Sequence, residues 1–108
     1  MVEKLAAVAN VVKVGDPLAP DTVVGPVISA AQRDRVEAYV RSGSDEGGTI
    51  VAGGARPPMD RGYFVTPTLI ADCRPSMKVV REEIFGPVVV AMPFDDEEEG
   101  IALANDTE

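Results

Sequence analysis

The 108-residue sequence has no histidine, which removes the commonest zinc ligand and speaks against a zinc site. Its single cysteine, Cys73, has no partner for an internal disulfide, as expected of a chain in a reducing compartment. Positive charge is scarce: 10 Lys and Arg stand against 18 Asp and Glu, a net charge of −8. A surface of that sign repels phosphate backbones and anionic lipid, and no basic run interleaved with aromatics offsets it, so neither nucleic acid nor membrane is an expected partner. No apolar run reaches the ~20 residues of a membrane helix, and no segment has the layout of a secretory signal. Neither Gly-x-Gly-x-x-Gly nor a glycine-rich loop ending in Gly-Lys-Ser/Thr occurs, so Gly47-Gly48 and Gly53-Gly54 read as turns rather than a phosphate cradle. Together these absences predict a cytoplasmic chain without a metal site.

What is present is enough apolar material, 45% of residues, for one modest domain or a piece of one. At this length folding can bury roughly 60–70% of the unfolded chain's surface. Val2 to Val14 reads as a helix with Val2, Leu5, Ala6, Ala9 and Val12 on one side, ended by Gly15-Asp16-Pro17. Ser29 with Gln32 three residues later reads as a capping box. The helix it opens turns Val36, Tyr39 and Val40 inward and Arg33, Arg35, Glu37 and Arg41 outward, and runs to Gly43 or Glu46. Thr49–Ala52 is a short strand, and residues 53–58 form a loop rich in glycine and proline. Tyr63–Ile70 has strand composition, with Pro67 pointing to an edge or an irregular segment. Ser76 is expected to cap a short helix through Glu82, Val88–Phe94 a strand, and Asp95–Asn105 a closing helix.

The acidic run Asp95-Asp96-Glu97-Glu98-Glu99 does not point to a metal, because consecutive helical residues do not share a face. Capping and the helix dipole explain acids at that place. Asn105-Asp106-Thr107 matches the glycosylation triplet, which in a chain without a secretory signal is a chance match.

The stretch Arg81-Glu82-Glu83-Ile84-Phe85-Gly86-Pro87-Val88-Val89-Val90 carries the most chemistry. A charged helical turn passes through a Gly-Pro corner into an uninterrupted β-branched run, the pattern of a parallel strand buried on both faces. Ile84 is expected to pack inward while Gly86 and Pro87 shape the corner. The corner would set an acidic residue and an aromatic at the end of a sheet element, where α/β proteins place ligands. The carboxylate of Glu83 can accept hydrogen bonds from two neighbouring hydroxyls, such as those of a ribose. The ring of Phe85 offers a flat apolar surface to a planar heterocycle. On chemistry alone, an ordinary structural role for both residues stays open.

The string Glu82-Glu83-Ile84-Phe85-Gly86-Pro87 resembles the E-E-I-F-G-P signature of the NAD(P)-dependent aldehyde dehydrogenase superfamily. Val14-Gly15-Asp16-Pro17-Leu18 and Gly25-Pro26-Val27-Ile28 are similar to its G-D-P and G-P segments. Gln32–Tyr39 resembles the helix that follows, Ala52-Gly53-Gly54 its G-G loop, and Gly62-Tyr63-Phe64-Val65-Thr66-Pro67-Thr68-Leu69 its G-Y-F-x-x-P-T strand. The pieces stand in the family's order and span almost the whole chain. The resemblance implies an α/β fold, three-layered, with a mostly parallel sheet flanked by helices, in which residues 1–108 are part of one catalytic domain and no second domain is present. It further implies NAD or NADP as cofactor and a small-molecule aldehyde oxidised to a carboxylic acid through a cysteine thiohemiacetal. Assembly would be a homodimer or homotetramer.

By the same resemblance, Glu83 matches the glutamate that hydrogen-bonds the nicotinamide ribose and Phe85 the ring packed near the nicotinamide; both are cofactor-binding candidates. The family's nucleophile lies in a Q-x-C context upstream of everything matched here. Cys73, in Ala71-Asp72-Cys73-Arg74-Pro75, is therefore read as structural, and no catalytic residue is assigned in this chain. The general base, the oxyanion asparagine and the adenosine-side lysine also belong to earlier segments, and the family continues with Y-G-L after Asn105-Asp106-Thr107-Glu108. The isolated chain is accordingly predicted inactive, as an excised segment of a dehydrogenase. An autonomous non-catalytic binding or interaction module with the same local fold is the alternative. A related acyl-phosphate reductase is a more distant one, against which E-E-I-F-G-P weighs.

Overall fold

Apolar residues spaced for helices and for three short strands settle here into a small sheet with a helix packed on either face. The computed structural model, which describes residues 1–106, orders the elements as α1 (Val2–Val11), α2 (Ala30–Asp45), β1 (Thr49–Ala52), β2 (Thr68–Ala71), α3 (Lys78–Arg81), β3 (Val88–Val90) and α4 (Glu97–Asn105). The class is α/β, as expected. Thr107 of the glycosylation triplet lies outside the described residues.

The strands form one sheet in the order β1-β2-β3. The parallel pairing lies between β2 and β3, with Thr68, Leu69 and Ile70 opposite Val88, Val89 and Val90. β1 runs antiparallel to β2, with an irregularity between Ile50 and Ala52. Within the described residues the sheet is thus mixed rather than mostly parallel. A parallel pair needs a crossover, which α3 and its flanking turns supply between β2 and β3; the link from β1 to β2 contains no helix and simply turns the chain back.

Side-chain alternation along β2 separates the layers. Ile70 points into the main core with Val36 and Tyr39 of α2, Val65, Cys73, Met77, Val79 and Ile84, and Val88 and Val90 pack against the same cluster. Leu69 and Val89 point the other way, into an apolar groove under Leu5, Val8 and Val12. Val36 and Ile70 are both fully buried, so the α2 side holds the solid core. The α1 side is more open, and no residue of α1 is buried.

Several expected boundaries move for identifiable reasons. α1 stops at Val11 because Val14 instead pairs with Val24 in a lone parallel bridge, and the carbonyl of Lys13 accepts from the amides of Val23 and Val24. Of the two expectations for Tyr63–Ile70, the irregular segment holds and the edge does not: Pro67 has no N–H to give, so the ladder begins at Thr68, and β2 is the central strand, buried along its length. β3 is shorter than expected, ending before Met92-Pro93, and lies at the sheet edge with Val89 exposed rather than buried on both faces. Ser76 sits in a turn and does not cap α3; the carboxylate of Glu46, at the far end of α2, accepts from the Lys78 amide at 2.9 Å instead. Arg74 closes the same junction by donating to the Glu46 carbonyl. At α4, Asp96 accepts from the Glu99 amide, and Glu99 accepts from the Asp95 amide.

Helix α2 lies close enough to β2 that one of its own positions must lack a side chain. A Cβ on Gly43 would stand 2.9 Å from Ile70 Cδ1 and 3.2 Å from Val79 Cγ1. The glycine's cost inside a helix, about 1 kcal/mol, is the condition for that approach. Ile70 is the hub of the arrangement. Ile70→Ala is expected to lower stability by about 2–5 kcal/mol, read as a shifted denaturant midpoint.

Candidate functional site

Between α3 and β3 the chain makes a corner in which alternate residues face opposite ways. Ile84 is buried in the core cluster, while Glu83 and Phe85 on either side of it are exposed. Ile84 therefore anchors the corner, and both of its neighbours are left exposed. Phe85 is 73% exposed, unusual for so large an apolar ring. Its backbone has φ 55°, a left-handed conformation that a bulky residue rarely adopts. The Glu83 carboxylate accepts no hydrogen bond among the described residues, which leaves both oxygens free to accept from outside.

The corner rests on one face of α2. Arg35 Nη2 donates to the Glu83 carbonyl at 3.3 Å. Gln32 Nε2 donates to the carbonyls of Ile84 at 3.0 Å and Phe85 at 2.9 Å. Gly86 then passes over Val36, where an added Cβ would meet Val36 Cγ2 at 2.6 Å. Beyond it the Pro87 carbonyl accepts from the Thr68 amide at 2.9 Å and so opens the parallel ladder. Beside the corner, the Tyr39 hydroxyl donates to Glu82 Oε2 at 2.6 Å, with Arg35 and Lys78 stacked on the Tyr39 ring.

In the sequence Gln32 has a local signal only, as half of a capping box. Ser29 does cap α2, accepting from the Gln32 amide at 3.1 Å. The Gln32 side chain, however, does not return to Ser29 but reaches across to the corner. Arg35 likewise reads as an outward charge yet holds a backbone carbonyl. Neither role has a local signature, because the partners lie 48 to 53 residues later. Glu37 is also engaged: Arg56 grips its carboxylate through two contacts of 2.7 Å, tying the 53–58 loop to α2 and holding the carboxyl below its usual range.

The corner precedes β3, so it lies at the amino ends of the parallel pair, not at the carboxyl ends where open α/β sheets place their crevice. Cys73 stands apart from it. Its thiol is buried, donates to the Ile70 carbonyl at 3.4 Å, and burial pushes its pKa up. A thiolate is the reactive form, so this geometry suppresses nucleophilicity. Among the described residues no cluster of potential metal ligands is found, and no helix is long and apolar enough to cross a membrane.

An exposed carboxylate beside an exposed ring on a pinned corner can bind a ligand that carries vicinal hydroxyls next to a flat heterocycle. The model of the Aldehyde dehydrogenase family matches residues 1–108. A betaine aldehyde dehydrogenase of Brucella ovis is 46% identical over 110 residues, covering 99% of this chain and 23% of that protein. An aldehyde dehydrogenase of Bartonella henselae superposes with a TM-score of 0.94 at 44% identity, covering 99% of this chain and 23% of its own. An aldehyde dehydrogenase of Bacillus cereus, solved as its NAD+ complex, superposes with a TM-score of 0.92 at 46% identity, over 98% of this chain and 21% of its own. The chain thus spans about a quarter of the length of the relatives it matches.

Two outcomes follow from the geometry. Gly86→Ala forces the corner off Val36 and is expected to cost about 1–3 kcal/mol in a denaturant titration. Cys73 is expected to alkylate with iodoacetamide only slowly until denaturant is added; a rate in the folded state equal to that in denaturant would contradict its burial.

Proposed function

This chain belongs to the aldehyde dehydrogenase family, and we propose that it is the part of such an enzyme's catalytic domain that presents Glu83 and Phe85 to a nicotinamide cofactor. The observation that carries this reading is the corner itself, where both side chains are displayed on either side of the buried Ile84. The chemistry of the pair suits the group: the free carboxylate of Glu83 would accept from the ribose hydroxyls, and the Phe85 ring would lie against the nicotinamide and orient it. NAD or NADP would serve, and the solved relative in complex with NAD+ favours NAD. When bound, the cofactor accepts hydride from the substrate carbon. The contribution of this chain is positioning, which fixes the distance and angle of that transfer.

The proposed whole reaction is oxidation of a small-molecule aldehyde to a carboxylic acid. In this reading Cys73, whose buried thiol has its pKa pushed up by that burial, is not the nucleophile. The isolated chain is therefore expected to form no NADH from any aldehyde. The family match over residues 1–108 supports this reading, and no observation supports an autonomous binding module. A single cysteine without a disulfide partner fits the cytoplasm, and assembly as a homodimer or homotetramer is carried by the family resemblance.

In a full-length dehydrogenase carrying this chain, Glu83→Gln and Phe85→Ala are each expected to slow hydride transfer or weaken cofactor binding by about ten- to a hundredfold. Steady-state and single-turnover kinetics unchanged in both variants would sink the proposal.

A further inference from the structure

We propose that Gln32 is a positioning residue for the cofactor corner, setting the backbone of Phe85 before any cofactor arrives, with Arg35 fixing the peptide just ahead of it. The inference rests on the cofactor role proposed above for Glu83 and Phe85. The φ and ψ of a residue are the angles of the two peptide planes that flank it. For Phe85 those planes carry the carbonyls of Ile84 and Phe85, and the Gln32 amide donates to both, at 3.0 and 2.9 Å. A primary amide nitrogen has two N–H groups, so a single side chain can hold both planes at once. Arg35 holds the preceding plane through the Glu83 carbonyl at 3.3 Å. Gln32, Arg35 and Val36 stand at i, i+3 and i+4 of α2 and so form one helix face, against which residues 83–86 are laid.

The held conformation is one that Phe85 does not choose freely. At φ 55° a phenylalanine backbone is disfavoured, and the ring is too exposed for core packing to impose it. The hydrogen bonds from Gln32 are the interactions that act on those two planes directly. Without them Phe85 is free to return to negative φ, which swings its ring and changes its relation to Glu83. The cost then falls on cofactor binding more than on the fold, because Ile84 still anchors the corner in the core.

The test is Gln32→Met in a full-length dehydrogenase carrying this chain, since methionine keeps the length and packing but cannot donate. NADH affinity, titrated by fluorescence, is expected to fall roughly tenfold, the equivalent of about one lost hydrogen bond or two. KM for NAD should rise with it while KM for the aldehyde stays within about twofold, a split that general loosening of the fold would not give. A cofactor-free crystal structure of the variant should show Phe85 out of positive φ. If NADH affinity is unchanged in Gln32→Met although Glu83→Gln or Phe85→Ala weakens it, Gln32 is structural only and the inference is overturned. If those two variants also bind NADH normally, the cofactor reading fails, and the crystal structure then decides for Gln32: Phe85 still at positive φ overturns the positioning role, and its release upholds it. Should Gln32→Met not fold, Arg35→Met, an exposed change on the same face, is read by the same titration and with the same expected direction.

Discussion

A side-chain amide that donates to two carbonyls 52 and 53 residues further along the chain is the constraint on which the rest of the site depends. It joins the longest helix to the corner ahead of β3, and it does so at the place where the backbone is least comfortable. Around it the other contacts share one purpose. Ile84 pins the corner from below, Val36 leaves room above itself only for a glycine, and the Pro87 carbonyl passes the chain into the parallel ladder. Each contact is modest. Together they hold four consecutive residues against one helix face, so that an acid and an aromatic ring are displayed with little freedom left to lose on binding.

The two faces of the sheet differ in a way that matters for this division of labour. On the α2 side, the core from Val36 to Ile84 is closed and supports the corner. On the α1 side, Leu5, Val8, Val23 and Val89 are substantially exposed around an apolar groove. The displayed corner hangs from the closed side. Its geometry is thus set by the well-packed half of the molecule, which fits a role in positioning.

Charge follows the same logic at smaller scale. The sequence is strongly acidic, but several of its few cations are placed where they bind protein groups: Arg56 on Glu37, Arg74 on the Glu46 carbonyl, and Arg35 and Lys78 on the Tyr39 ring. Glu46 in turn caps α3, so the start of one helix is satisfied by the end of another. These are exposed contacts of small individual worth, and what they fix is geometry between elements more than stability.

Local pattern determined a good deal of this protein. The α/β class, the Ser29 cap, the inward Val36, Tyr39 and Val40, the Thr49–Ala52 strand and the inward turn of Ile84 all follow from period, cap and turn chemistry, which act over a few residues. So did the candidacy of Glu83 and Phe85, carried by a string of adjacent residues. What only the tertiary structure decided are the relations between distant segments. The antiparallel direction of β1, the central place of β2, the edge position of β3 and the cap from Glu46 each depend on which segments meet in space. Gln32 shows the boundary most clearly: its backbone amide obeys the local capping rule, while its side chain serves a corner far along the chain. Periodicity records which way a residue faces, but a hydrogen bond across that face is settled only when both surfaces are in place.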